Sequence, residues 1–331
     1  MIITRTPFRV SFFGGGTDYS AWYRTHGGAV LSTSIDKYCY ISCRQLPPFF
    51  EHKHRIVYSK IENVRDIYDI QHPAVRNVMN WLGVSKGLEI HHDGDLPARS
   101  GLGSSSSFTV GLINAIKALN GEHISKRELA SSAIHIEQEI IKENVGSQDQ
   151  IIASFGGFNK IEFFPSGGFE VSPVVISKER EEALAGHLML FFTGFSRIAS
   201  DIAKAQIDNM SNRESELKRM HSMVEESISI LGQVNSNIEE FGRLLNETWQ
   251  YKRSLSDRIS NPAIDNLYSE AVDAGAIGGK ILGAGGGGFL LLFVPPQDQP
   301  KVRKALCNLV HVPFKFEKTG SCVVLYQPQG L

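Results

Sequence analysis

Residues Leu96–Ser107, LPARSGLGSSSS, run without a break into the apolar stretch FTVGLINAIKAL of residues 108–119. Glycines at Gly101 and Gly103 let the backbone turn its N–H groups inward, and serines follow where the first turn of a helix leaves its donors unpaired. Aligned donors at the positive end of a helix dipole suit phosphate. Pro97, Ser100, Gly101, Leu102, Gly103, Ser104, Ser105 and Ser106 are therefore the candidate anion-binding residues. The lysine of the pattern GxxxxGK[ST] is missing, so ordinary P-loop chemistry is not implied. A serine-capped helix after a flexible turn fits the same letters, and the rest of the chain has to decide between the two.

The 331 residues, 42% apolar and 21% charged, have an ordinary folded composition and suffice for about two domains. The 34 Lys and Arg against 35 Asp and Glu leave a formal charge of −1. That balance excludes wholesale attraction to nucleic acid or an anionic membrane, so any anion site is local. Cys39, Cys43, Cys307 and Cys322 lack CxxC spacing and read as reduced, structural thiols. The opening MIITRTPFRVSFFGGG is too short and too glycine-interrupted for a secretory segment, and no apolar run approaches the ~20 residues of a bilayer span. The cytoplasm is the expected location, and no heptad seam marks an oligomer interface.

Outward from the serine loop, Thr6–Phe13, Val30–Cys43 and Arg55–Tyr58 alternate like strands, and Asp66–Leu82 has helical spacing. Leu88–His92 follows as a strand, then helices over Ser106–Leu119 and Lys126–Lys142. Short strands are expected at Gly157–Phe164 and Phe169–Val175, and the charged SKEREE stretch suggests a boundary near 176–186. An α+β first domain over 1–180 and a second over 181–331 result. In the second, the strand Leu188–Phe192 precedes helices over Ser200–Leu231, Ile238–Lys252 and Ala263–Gly275. The end of the chain reads loop, strand, helix, strand, strand, which suits a ferredoxin-like half.

Three further constellations carry chemistry. In TPFRVSFFGGGTDY, residues 6–19, a strand ends in glycines and presents Asp18, whose carboxylate can accept from two sugar hydroxyls while Arg9 balances its charge. Gly15, Gly16 and Thr17 complete that candidate substrate site; a hairpin or bulge with an Asx turn is the plain alternative. In IHIEQEIIKENVGSQDQ, residues 134–150, Glu137 and Asp149 are separated by a turn and can converge on a metal–phosphate complex, or lie on a solvated acidic face as Glu139 and Glu143 do. GGKILGAGGGGFLLLF, residues 278–293, contains a formal GxGxxG, but a strand pattern rather than a helix follows it, so a dinucleotide fingerprint fails on context. With no HRD or DFG tripeptide, a protein kinase fails too. Glycines this dense fit close approach of backbone to a ligand or another loop, or a plain turn.

Taken in order, RTPFRVSFFGGGTDY, PARSGLGSSSS, GSQDQ and GGKILGAGGGGF resemble the motifs of the GHMP small-molecule kinases across nearly the whole chain. The set GGGTD, GLGSSSS, GSQDQ, FGGFN and GGKILGAGGGGF is most similar to that of the D-glycero-D-manno-heptose 7-phosphate kinases. The resemblance implies an amino-terminal domain like ribosomal protein S5 domain 2 and a ferredoxin-like carboxy-terminal domain. It implies ATP and Mg2+, with the serine loop and Gly285 and Gly286 at the phosphates and Ser105 and Glu137 at the metal. Asp149 becomes the catalytic carboxylate, Arg9 its arginine and Asp18 the sugar-binding aspartate. Where galactokinases carry GEHTD, this chain has Gly14–Asp18 as GGGTD, which opens room for a larger sugar. Lys37, Arg44, Arg197 and Lys252 are candidates for a second substrate phosphate. The implied reaction is phosphorylation of the anomeric hydroxyl of a heptose 7-phosphate for nucleotide-activated, GDP-linked heptose. A fucokinase, or a GHMP-fold sensor binding sugar and ATP without turnover, is the alternative.

Overall fold

From Thr6 to Phe13 every residue of β1 (Ile2–Phe13) is buried, instead of every second one. The computed structural model, which describes residues 1–194, 199–233 and 236–329, shows why: helices from both halves of the chain pack on this strand. β1 pairs antiparallel with the 18-residue β2 (Gly28–Gln45), reached through α1 (Ser20–His26). β3 (His54–Val57) and β4 (Ile61–Val64) form a hairpin, and α2 (Pro73–Trp81) leads to β5 (Leu88–Gly94). The helix expected over Asp66–Leu82 starts only at Pro73, because proline restricts His72 before it to extended backbone and suits the first helical position itself. α3 (Ser104–Leu119) is the apolar central helix, and α4 (Lys126–His135) and α5 (Gln148–Phe155) pack on it. β6 (Phe158–Phe163) and β7 (Phe169–Pro173) extend the sheet along the first part of β2. The SKEREE stretch is helical: Ser177 caps α6 (Lys178–His187), which runs straight into the next strand.

That strand, β8 (Leu188–Phe192), begins a second sheet. α7 (Ala199–Asp208), α8 (Glu214–Gly232), α9 (Glu239–Ser254) and α10 (Pro262–Asp273) lie between it and β9 (Gly278–Ile281). The helix expected over Ser200–Leu231 breaks at Asn209–Arg213, where side chains that compete for backbone hydrogen bonds cluster and Asn209 donates to Leu255 O at 2.8 Å. β10 (Phe289–Phe293), α11 (Gln299–Ala305) and β11 (Val310–His311) complete a βαββαβ unit with sheet order β11-β8-β10-β9, the ferredoxin-like arrangement. The last two strands differ from expectation. β12 (Phe316–Glu317) and β13 (Cys322–Tyr326), expected in the second half, pair with β2 and β1 in the first sheet. The fold is thus α+β, with a nine-stranded and a four-stranded sheet among the described residues.

One apolar core joins the halves. Phe241 of α9 meets Phe12 and Phe13 edge-on at centroid distances of 5.5 and 5.0 Å, contacts worth about 0.5–1.5 kcal/mol each beyond their burial. This junction lies on β1, three and four residues beyond Arg9, and so fixes how the second half covers the polar residues of the strand. Two surface cavities of about 370 and 440 Å³ lie along the carboxy-terminal part of α3, one reaching Asn120 and the other Gly121, and none of the candidate site residues lines them. Among the described residues no helix is long and apolar enough to cross a membrane.

Candidate active site

The loop before α3 ends on Gly103, which takes the left-handed conformation at the cap position, φ 74°, and puts no side chain over the helix start. The donors of the first turn are left for an anion. Side chains brace the loop from outside: Ser100 Oγ donates to Pro97 O, and Ser104 Oγ accepts from Arg99 N–H. Leu102 O accepts from Arg9 N–H at 3.0 Å, where β1 shifts register after Pro7. The four serines diverge. Ser105 is exposed, Ser106 Oγ donates to Glu137 Oε2 at 2.8 Å and Ser107 Oγ to Pro7 O at 2.9 Å. The serine that touches Glu137 is therefore Ser106, while its neighbour Ser105 stays exposed at the helix start.

The other side of the loop is backed by the late glycines. A Cβ on Gly101 would lie 2.5 Å from Leu282 O, and one on Gly283 2.6 Å from the α-carbon of Gly101, so neither loop admits a side chain at the contact. The dense glycines thus serve loop-to-loop approach. Gly285 and Gly286, expected at the phosphates, back onto Ile259, whose carbonyl accepts the Gly286 N–H at 2.7 Å.

The start of α5 organises the charges. Successive residues on a helix point about 100° apart, and Gln148, Asp149 and Gln150 reach three different groups. Gln148 Nε2 donates to Asp18 Oδ2 at 3.0 Å, Asp149 accepts from Arg9, and Gln150 Nε2 donates to Glu137 Oε2. Arg9 clamps Asp149 with Nε to Oδ1 at 2.7 Å and a second guanidinium nitrogen to Oδ2 at 2.9 Å, while its third donates to Gly101 O. This bidentate pair is a strong, geometrically specific contact. It ties the carboxylate to the serine loop through one side chain, and Asp149 keeps 23% of its side-chain surface exposed.

Asp18 is 2% exposed and accepts from Gly16 N–H as well as from Gln148. Burial, aided by the nearby Asp149, pushes its carboxyl above the usual range, against these two hydrogen bonds. Thr17 does not line a substrate surface: it is wholly buried, and its hydroxyl is committed to the carbonyls of Gly14 and Ala29. This differs from the expectation for it, because its hydroxyl is used to tie two chain segments together. Among Gly14, Gly15 and Gly16, only Gly15 has space: its nearest neighbour would be Ser11 Oγ, at 4.0 Å.

Glu137 sits where α4 opens into one turn of π-helix, Ile136–Ile140, rather than continuing regularly to Lys142. Such turns often mark functional positions. Glu137 is 1% exposed, burial pushes its carboxyl up to about 7, and its Oε1 has no hydrogen-bond partner. An orphaned buried carboxylate oxygen beside the uncapped start of α3 fits a divalent cation. Among the described residues no group of three or more His, Cys, Asp or Glu side chains surrounds a metal position, so such an ion would be held largely by phosphate and water oxygens.

The basic candidates are mostly occupied elsewhere. Lys37 Nζ lies on Asp36 at 3.0 Å, Arg44 pairs with Glu89, and Arg197 falls outside the described residues. Lys252 is buried in the site. Gln148, Gln150 and Gly146 were not singled out from the sequence, although the first two flank Asp149; Gly146 lies so close to Asp18 that a Cβ would fall 1.9 Å from Oδ2.

An uncapped helix start beside a carboxylate clamped by an arginine, in a chain with a ferredoxin-like second half, suits phosphoryl transfer. The sequence matches the family described as GHMP kinases N terminal domain over residues 68–157 and GHMP kinases C terminal over residues 212–311. The chain belongs to the GHMP kinases, and its relatives make it a carbohydrate kinase. It is 30% identical to the D-glycero-alpha-D-manno-heptose 7-phosphate kinase of Campylobacter jejuni, over 92% of this chain and 93% of that one. It is 24% identical to the bifunctional fucokinase/GDP-fucose pyrophosphorylase of Arabidopsis thaliana over 89% of this chain and 30% of the longer protein. The crystal structure of a D-glycero-D-manno-heptose 1-phosphate kinase from Bacteroides thetaiotaomicron shares the fold at a TM-score of 0.79 and 22% identity, covering 97% of this chain and 98% of that one.

Proposed function

We propose that this kinase transfers the γ-phosphoryl group of ATP to the anomeric C1 hydroxyl of D-glycero-D-manno-heptose 7-phosphate, giving the 1,7-bisphosphate and ADP. The observation that carries the acceptor reading is the open space at Gly15, next to buried Asp18 and the Arg9–Asp149 pair. The likeness to the Campylobacter heptose 7-phosphate kinase supports it. Asp18 accepts hydrogen bonds from sugar hydroxyls, and Asp149 takes the C1 hydroxyl proton as the oxygen attacks the γ-phosphorus and the bond to the leaving ADP oxygen breaks. Arg9 holds Asp149 in place and offsets the charge of the transferring group. The helix start at Gly103–Ser106 receives the phosphates. Ser105 and Glu137 are the residues that would hold Mg2+, which when bound neutralises phosphate charge. The product would enter GDP-heptose synthesis in the cytoplasm.

The test is an acceptor panel of heptose 7-phosphate, L-fucose and galactose, followed by ADP release, with the product anomer read by NMR. Heptose 7-phosphate is expected to give the highest kcat/KM and an α-1-phosphate. Faster turnover of fucose or galactose overturns the acceptor assignment. ATP binding and sugar binding without ADP release would make the protein a sensor.

Gly15→Ala is expected to fold normally, since the new methyl meets only Ser11 Oγ at 4.0 Å. It is expected to raise the acceptor KM by about 10-fold, the scale of one methyl group in a fitted pocket. The KM for ATP stays unchanged. An unaltered acceptor KM would place the sugar elsewhere.

A further inference from the structure

Lys252 takes no part in the transfer described above, yet its amine lies within the site. The α9 side chain is 5% exposed, and Nζ donates to Ile281 O at 2.9 Å and to Gly283 O. Gly283 is the residue whose backbone seats against Gly101 of the serine loop. One amine therefore grips the late loop where it supports the anion-binding helix start. An ammonium is expensive to bury, and an apolar side chain of similar length would fill this position at less cost. Four charged groups from other elements face it: Arg9 of β1, Asp18 after β1, Asp149 of α5 and Lys280 of β9. Its neighbour Arg253 turns instead to Asp265 of α10.

We propose that Lys252 is a positioning residue for the phosphoryl donor: its ammonium pins Ile281 and Gly283 so that the late glycine loop holds the serine loop in its anion-binding shape. The inference rests on the ATP site proposed above and is independent of the acceptor sugar. Burial, and then Arg9, draw the lysine down to about 7, with Asp18 and Asp149 acting the other way. The amine is charged below that value and neutral above it. Charged donors hold carbonyls more firmly than neutral ones, so the pin loosens as pH rises through about 7.

The experiment is calorimetric titration of the full chain with Mg·ATP, without acceptor, from about pH 6 to about pH 9. Glu137, whose carboxyl is pushed up to the same range, is present in wild type and variants alike, so the lysine is read from the difference: relative to Lys252→Arg, wild type is expected to lose affinity as the amine deprotonates. Lys252→Met is expected to bind Mg·ATP about 10- to 100-fold more weakly at the low end, the loss of a charged hydrogen bond, and to lack the pH limb. Lys252→Arg keeps its charge throughout and is expected to regain part of the affinity while also lacking the limb. Should the Met variant fail to fold, the wild-type profile and the Arg variant still decide. Wild-type affinity and a wild-type limb in either variant overturn the assignment of Lys252 alone. A wild-type chain that binds no Mg·ATP overturns the ATP reading with it.

Discussion

Asp149→Asn is expected to lower kcat by about 10²–10⁴-fold, the usual cost of losing a positioned general base. The KM for ATP should move little, because the serine loop reaches Arg9 through the carbonyl of Gly101 and not through Asp149. Asparagine keeps the shape of the side chain but presents an amide N–H2 to one of the two guanidinium donors that now reach Oδ1 and Oδ2. The loss in kcat would therefore combine a missing base with a turned side chain. Turnover near that of wild type would show that Arg9 and the phosphate loop do the work, which the acidity of an anomeric hydroxyl permits.

Arg9→Met is expected to cost more than any other single change in the site, in stability as well as rate. Arg9 makes three side-chain hydrogen bonds, two to Asp149 and one to Gly101 O, from a position 4% exposed. Methionine fills the volume but leaves a carboxylate and a carbonyl facing one another unpaired. Breaking a buried ion pair from one side costs about 3–5 kcal/mol, and the partial exposure of Asp149 puts the expectation near the lower figure. Denaturant unfolding of both proteins measures it. The double variant Arg9→Met/Asp149→Asn should be more stable than Arg9→Met alone, since it no longer buries an uncompensated charge, and its rate loss should fall well short of the product of the single losses. Additive effects would show that the pair seen in the structure is not a functional unit.

The parts of the site legible in the chain are those whose chemistry is local. Gly103 before a run of serines announces an uncapped helix start whatever surrounds it, and Asp149 in GSQDQ announces a carboxylate at another one. In the second half hydrophobic patterning makes β8 and β10 legible, because both are apolar on both faces and bounded by breakers, whereas the short β9 and β11 have no such pattern and the βαββαβ order emerges only in the structure. Gln148 and Gln150 escaped notice for the opposite reason. An amide side chain has no pattern of its own, and its importance comes from the carboxylates of Asp18 and Glu137, which are distant in sequence or on another element.

Sequence alone determined that this chain carries a serine–glycine loop opening a helix, a glycine-flanked aspartate, an acidic helix and a second glycine loop, in the order of a GHMP kinase. Those motifs rest on backbone freedom and helix-end donors, which neighbouring residues decide. Only the tertiary structure decided that Ser106 and not Ser105 meets Glu137, that Thr17 and Gly286 are hydrogen-bonded to distant backbone carbonyls, that β12 and β13 return to the first sheet, and that Lys252 is buried on the glycine loop. Each depends on register and on which polar group finds a partner when water is removed, and those partners lie far away in the chain.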